Sequence, residues 1–148
     1  MFARPRAGLA AALLLPLVLP VAGCQTLATA PIVGPCSYPA SKQMLLVEMA
    51  FGRNVKGGPG VSDADWEQFQ RETLSEQFPD GLTVLDGIGE WADPRAKRML
   101  TERSKWVIVA APDNSATVQA IKTVTDAYKR RFGQDSVLVI TNTRCVAF

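Results

Sequence analysis

Glu48, Asp86 and Glu102 are the side chains of this 148-residue chain whose types and positions could do acid–base or cation chemistry. Two carboxylates brought together can share a proton, one acting as acid and the other as base, or hold a cation between them. One arrangement would gather them. A hairpin that pairs Glu90 with Arg98 sets Asp86 opposite Glu102, and Glu48, on the polar side of its own strand, can join. A one-residue change of register moves every side chain to the other face. The acids then stand as separate solvated groups or as partners of Arg103 and Lys105. A second, basic constellation is Arg53 with Lys56, in a glycine-rich loop from Gly52 to Gly60 that runs into a helix start. In outline this is an anion cradle. Asp63 and Asp65 already use the positive end of that helix, and the Walker spacing is absent, so the loop reads as a turn and cap.

The chain has no histidine. This weakens Ser-His-Asp and Cys-His catalysis and the common zinc sites, and leaves carboxylate or lysine chemistry open. No cofactor and no metal are expected.

The most specific signal is Cys24. Arg4 and Arg6 form a positive start, Leu9 to Val21 is a 13-residue apolar run, and Val21-Ala22-Gly23-Cys24 ends it. The run fits a signal-peptide core and falls short of the about 20 residues a spanning helix needs, with Pro16 and Pro20 inside it. The expectation is a lipobox: cleavage before Cys24, then acylation of that cysteine with palmitate-type chains. More than one chain is needed for stable anchoring, which a di- or triacylated cysteine supplies. Gln25 follows, and by resemblance to enterobacterial sorting this favours the outer membrane, facing the periplasm.

Residues 1–23 therefore form a leader, 24–42 a flexible tether rich in Ala, Thr, Pro and Ser, and 43–148 one domain. Two of the 16 basic residues leave with the leader, so the mature protein carries 14 basic against 14 acidic residues. No nucleic-acid partner is expected. The basic run Lys129-Arg130-Arg131 reads as a solvated helix end.

The elements that position these residues follow from periodicity. Met44 to Phe51 alternates as a strand, with Leu45, Val47, Met49 and Phe51 on one face. Ser62 with Asp65 marks a helix start, stapled by Val61 and Trp66, and Trp66, Phe69, Thr73 and Phe78 continue at helical spacing. Pro79-Asp80-Gly81 ends it. Leu82 to Trp91 is a strand with Gly87 and Gly89 at a bulge or close approach, and Arg98 to Ala111 completes a long hairpin. Asp113 or Ser115 can cap a helix whose apolar face is Val118, Ile121, Thr125, Tyr128 and Phe132, closed by Gly133. Ser136 to Phe148 supplies the last strand. Trp66, Trp91, Tyr128 and Phe132 are the expected core anchors.

The order β-α-β-β-α-β is the ferredoxin-like arrangement, an α+β fold with a four-stranded antiparallel sheet and both helices on one face. In it the first and last strands are antiparallel neighbours, so Cys36 lies near Cys145. With Cys24 acylated in an oxidising compartment, these two thiols are expected to pair.

Phe51-Gly52-Arg53, VSDADWEQF, FPDGLTVLDGIGEW, ERSK, AYKRRFGQDSV and the terminal CVAF resemble a bacterial family of small secreted proteins and lipoproteins. That family is catalogued as a domain of unknown function, number three-five-seven-four. The resemblance spans nearly the whole mature domain and implies a shared fold and an envelope location, with no activity attached. Thr101 stands where a basic residue is expected before the Glu.

Two functions follow. One is a lipid-anchored envelope protein acting as a binding or structural module, held to the membrane by acylated Cys24, with its open sheet face meeting a partner or a second copy. The alternative is a small enzyme or ligand binder of the dimeric α/β-barrel type, using the Glu48, Asp86 and Glu102 cluster.

Overall fold

Alternation in the first strand, β1 (Lys42–Gly52), sets the two faces of the sheet: Leu45, Val47, Met49 and Phe51 are buried, while Leu46, Glu48 and Ala50 stand half-exposed on the other side. The computed structural model describes residues 36–55, 58–93 and 97–148. The other strands are β2 (Thr83–Asp93), β3 (Arg98–Ala111) and β4 (Leu138–Val146), all antiparallel in the order β2-β3-β1-β4. This is the expected ferredoxin-like arrangement. Residues 33–148 form one compact unit.

The first helical run is α1 (Asp63–Phe69), a π-helical segment (Gln70–Leu74) and α2 (Ser75–Gln77) in direct succession. Its start is the expected capping box: Asp65 donates its N–H to the Ser62 hydroxyl, and the Ser62 N–H returns a bond to the Asp65 carboxylate. The π-helical turn holds one residue more than an α-helical one. Phe69 and Leu74, five apart, therefore share the buried face, and Leu74 takes the place the regular spacing assigns to Thr73.

The second long helix, α3 (Ser115–Phe132), is capped by Asn114, which accepts from the Thr117 N–H at 3.0 Å. The sequence pointed to Asp113 or Ser115; of the apolar face it expected, Tyr128 is buried and Ile121 and Phe132 pack partly buried against the core. Thr117, Ala120, Val124 and Tyr128 turn inward, while Val118 is 59% exposed. Gly133, in the left-handed conformation, closes the helix as expected. Its basic end is solvated and paired, with Lys129 on Asp126 and Arg131 on Glu72.

Phe51 lies at the centre of the core, its ring 5.4 Å from Trp66, 6.1 Å from Phe69 and 4.8 Å from Tyr128. The Tyr128 hydroxyl donates to the Gly52 carbonyl at 2.9 Å, and burial raises its pKa above the usual tyrosine range. Cys36 and Cys145 form a disulfide, with Cα atoms 5.5 Å apart. It closes the sheet edge where β1 begins and β4 ends.

Candidate functional site

The β2–β3 ladder decides the fate of the carboxylates. Glu90 pairs with Thr101 and Asp93 with Arg98, a register three residues away from the one that gathers the acids. The reason is apolar matching: this register sets Val84 against Val107, Leu85 against Trp106 and Trp91 against Leu100, and carries the ladder on to the tip. A shift by an odd number of residues exchanges faces, so Asp86 and Glu102 lie on opposite sides of the sheet. Asp86 pairs with Lys105, whose ammonium sits 2.7 Å from its carboxylate. That bond holds the Asp86 carboxyl below the usual range.

Glu48 and Glu102 share the open face and do not meet. Glu48 stands between Ile108 and Ile140, and Glu102 lies six positions further along, about 20 Å at the rise of a strand. The Glu102 carboxylate lies over Gly52, where an added Cβ would come within 2.6 Å of its oxygen and push the carboxylate aside. The cluster of Glu48, Asp86 and Glu102 is therefore not assembled, and Asp86 takes the other course open to it, as a partner of Lys105.

The basic loop has a structural role. Arg53 is 5% exposed; its guanidinium donates twice to the Val61 carbonyl, at 2.8 and 2.6 Å, and once to Asp63 at 2.7 Å. It fastens the loop to the start of α1. Lys56 lies outside the described residues, as does Cys24. Replacing Arg53 with Met should cost about 2–3 kcal/mol by stranding the buried Val61 carbonyl. Urea unfolding will measure it, and an unchanged midpoint would show that water replaces the guanidinium.

What the structure leaves available is the sheet face opposite the helices. By alternation it carries Leu46, Glu48 and Ala50 of β1, Leu85 of β2, Trp106 and Ile108 of β3, and Leu138 and Ile140 of β4. Leu85 and Leu138 are about half exposed, and no described element covers them. Trp91, an expected core anchor, belongs to this face and is 45% exposed. The glycines at 87 and 89 sit in an unbroken ladder; at Gly87 an added Cβ would approach the Ser104 hydroxyl at 3.1 Å.

A readable signal for this face lay in Trp106 to Ala111, six apolar residues in succession. A strand with helices on one side only and no polar alternation must present apolar side chains outward as well. Two shallow depressions, of about 200 and 340 Å³, lie at the β3–α3 end and share Asp80, Ala110 and Pro112. Neither contains Glu48, Asp86 or Glu102. Among the described residues no three His, Cys, Asp or Glu side chains are grouped as a metal site.

A family model described as Protein of unknown function (DUF3574) matches residues 47–148. No curated protein matches the chain. Two solved structures of a phage SAM lyase share its fold. The complex with S-methyl-5'-thioadenosine has a TM-score of 0.54 at 14% identity, covering 70% of this chain and 90% of the lyase chain. The apo state has a TM-score of 0.52 at 13% identity, covering 72% and 92%. At such identities the likeness is one of fold.

Proposed function

We propose, for a chain that belongs to the DUF3574 family of proteins of unknown function, the role of a lipid-anchored envelope protein whose domain is a binding or structural module working through its open sheet face. The observation that carries the reading is that face: an apolar surface spanning four strands, with both helices on the other side. The lipobox at Cys24 supports the anchor and a location at the outer membrane facing the periplasm. The separation of Glu48, Asp86 and Glu102 removes the acid pair on which the barrel-type enzyme reading stood.

The occupant of the face is a second copy of the chain. Strand spacing and rise give the face on the order of 600 Å² per copy, so a pair would bury about 1,200 Å², at the lower limit of specific interfaces. Charge fits as well. Alternation puts Lys42 and Arg144 at one end of the face and Glu48 at its centre, so two copies related by a two-fold axis can offset acid against base.

Light scattering on residues 33–148 should give a concentration-dependent dimer. Ile140→Lys should be monomeric with its thermal midpoint unchanged. A wild-type domain that stays monomeric at all concentrations would overturn the self-association. Mass spectrometry of the mature N-terminus tests the anchor separately: diacylglyceryl and amide-linked acyl groups are expected on Cys24, and an unmodified Cys24 would sink it.

A further inference from the structure

The charges of the open face are sorted by end. By alternation with the buried Leu45, Val47, Met49 and Phe51, the β1 residues Lys42 and Glu48 belong to the open side. Arg144 of β4, on the Met44 rung, and Glu102 of β3, whose carboxylate lies over Gly52, belong to it as well. Lys42 lines a depression there together with Met44 and Ala110. The two cations thus stand where β1 begins, Glu48 at its middle, and the Glu102 carboxylate where β1 ends. Among the described residues none of these four is in an ion pair within its own chain.

Lys42 and Glu102 cannot meet inside one molecule. Gly52, under the Glu102 carboxylate, is ten positions from Lys42 on β1, about 33 Å at the rise of a strand. Between two copies the same sorting becomes a match if one copy runs against the other. Two sheets laid face to face can be related by a two-fold axis along the strands or across them. An axis along the strands sets each end on the like end of the second copy, cation on cation and acid on acid. An axis across the strands at the level of Val47 reverses one copy. It carries Lys42, five positions before Val47, onto Gly52 of the second copy, five positions after it, and so onto the Glu102 carboxylate. Arg144 then falls on the Ala50 rung of the second copy, beside that of Glu48. Lysine and glutamate are long enough to meet across the lateral offset that crossed sheets introduce.

We propose that two copies meet across the open face with the Lys42 ammonium of each in an ion pair with the Glu102 carboxylate of the other, their β1 strands running in opposite directions. The proposal rests on the open-face dimer and adds what orients it. Apolar burial is non-directional and permits either axis; the charges choose between them. Gly52 serves the same contact, because a side chain there would push the carboxylate aside.

The test is light scattering over a concentration series on residues 33–148, which form one compact unit and hold the disulfide. Lys42→Glu and Glu102→Lys, each alone, should raise the dimer dissociation constant at least about tenfold, since each dimer then sets like charges together twice. An equimolar mixture of the two should regain wild-type association as a heterodimer, and so should the double variant as a homodimer. Arg103 supplies the control, being exposed and on the helix side of the sheet by alternation with Glu102. Arg103→Glu makes the same charge change as Lys42→Glu, yet should neither weaken the dimer nor restore Glu102→Lys on mixing. The substituted side chains are exposed or half-exposed, and a misfolded single variant would not regain dimers on mixing. Single variants that dimerise like wild type, or that mixing does not restore, overturn the pairing and leave the open-face dimer standing. Equal restoration by Arg103→Glu would trace the effect to net charge and overturns the pairing too. A wild-type domain that stays monomeric removes the open-face reading and this one with it.

Discussion

Reduction of the Cys36–Cys145 bond should lower the midpoint of thermal unfolding by roughly 15–25 °C, the consequence of reopening a loop of this length in the unfolded chain. The two cysteines are 109 residues apart, so the bond encloses nearly the whole domain. In the chain-entropy account, closing a loop of about 100 residues contributes about 4.7 kcal/mol. The total stability of a small domain is on the order of 5–15 kcal/mol, so this single bond is a large part of it. Calorimetry with and without reductant, and on Cys145→Ser, will measure the effect. A drop of only a few degrees, about 1 kcal/mol or less, would mean that the reduced unfolded chain stays compact and that the loop argument fails for this protein.

Phe51→Ala should cost about 3–5 kcal/mol, the range for deleting a buried aromatic ring. Phe51 is fully buried and lies against Trp66, Phe69 and Tyr128, with Tyr128 bridging to Phe132 at 4.8 Å. These rings come from β1 and from both helical runs. Their removal would therefore loosen the contact between layers as well as leave a cavity. Urea unfolding should show a lower midpoint with the slope retained. Combined with Cys145→Ser, the loss should leave little folded protein at room temperature. A cost below about 1.5 kcal/mol would mean that the helices collapse onto the space, as well-tolerated core changes do.

Much of this fold is readable along the chain where one physical rule acts alone. The alternation of Leu45, Val47, Met49 and Phe51 marks β1 and its buried face, and Ser62 with Asp65 marks the start of α1. The element order fixes the neighbours, and with them the approach of Cys36 to Cys145. Reading fails where two rules compete. The π-helical turn between Phe69 and Leu74 is invisible to a constant helical period, and so Thr73 is put where Leu74 belongs. Asn114, Asp113 and Ser115 are all competent caps by type, and the structure uses Asn114, whose side chain accepts from the Thr117 N–H.

The site was the least legible part, for the same reason. The sequence left the hairpin register open, Glu90 against Arg98 being one choice, and apolar matching along the whole hairpin outweighs that one ion pair on an exposed strand. Arg53 lies in a loop that resembles an anion cradle in outline and reads as a turn and cap. Its burial against the Val61 carbonyl depends on tertiary packing that no local pattern announces. Trp91 looked like core because tryptophan so often is, yet its ladder partner is the partly exposed Leu100 on the open face.

The cystine also settles how the domain bears load. A pull arriving through the chain before Cys36 would, without the bond, act on the first residue of β1 and unzip that strand from its two neighbours one rung at a time. With the bond in place the force divides at Cys36 and also enters the end of β4 through Cys145, beside the Gln43 rung. Two adjacent strands must then be displaced together. Forced opening follows the unfolding rate, so the cystine makes the domain a fitting that resists tearing at the point where a pull enters it.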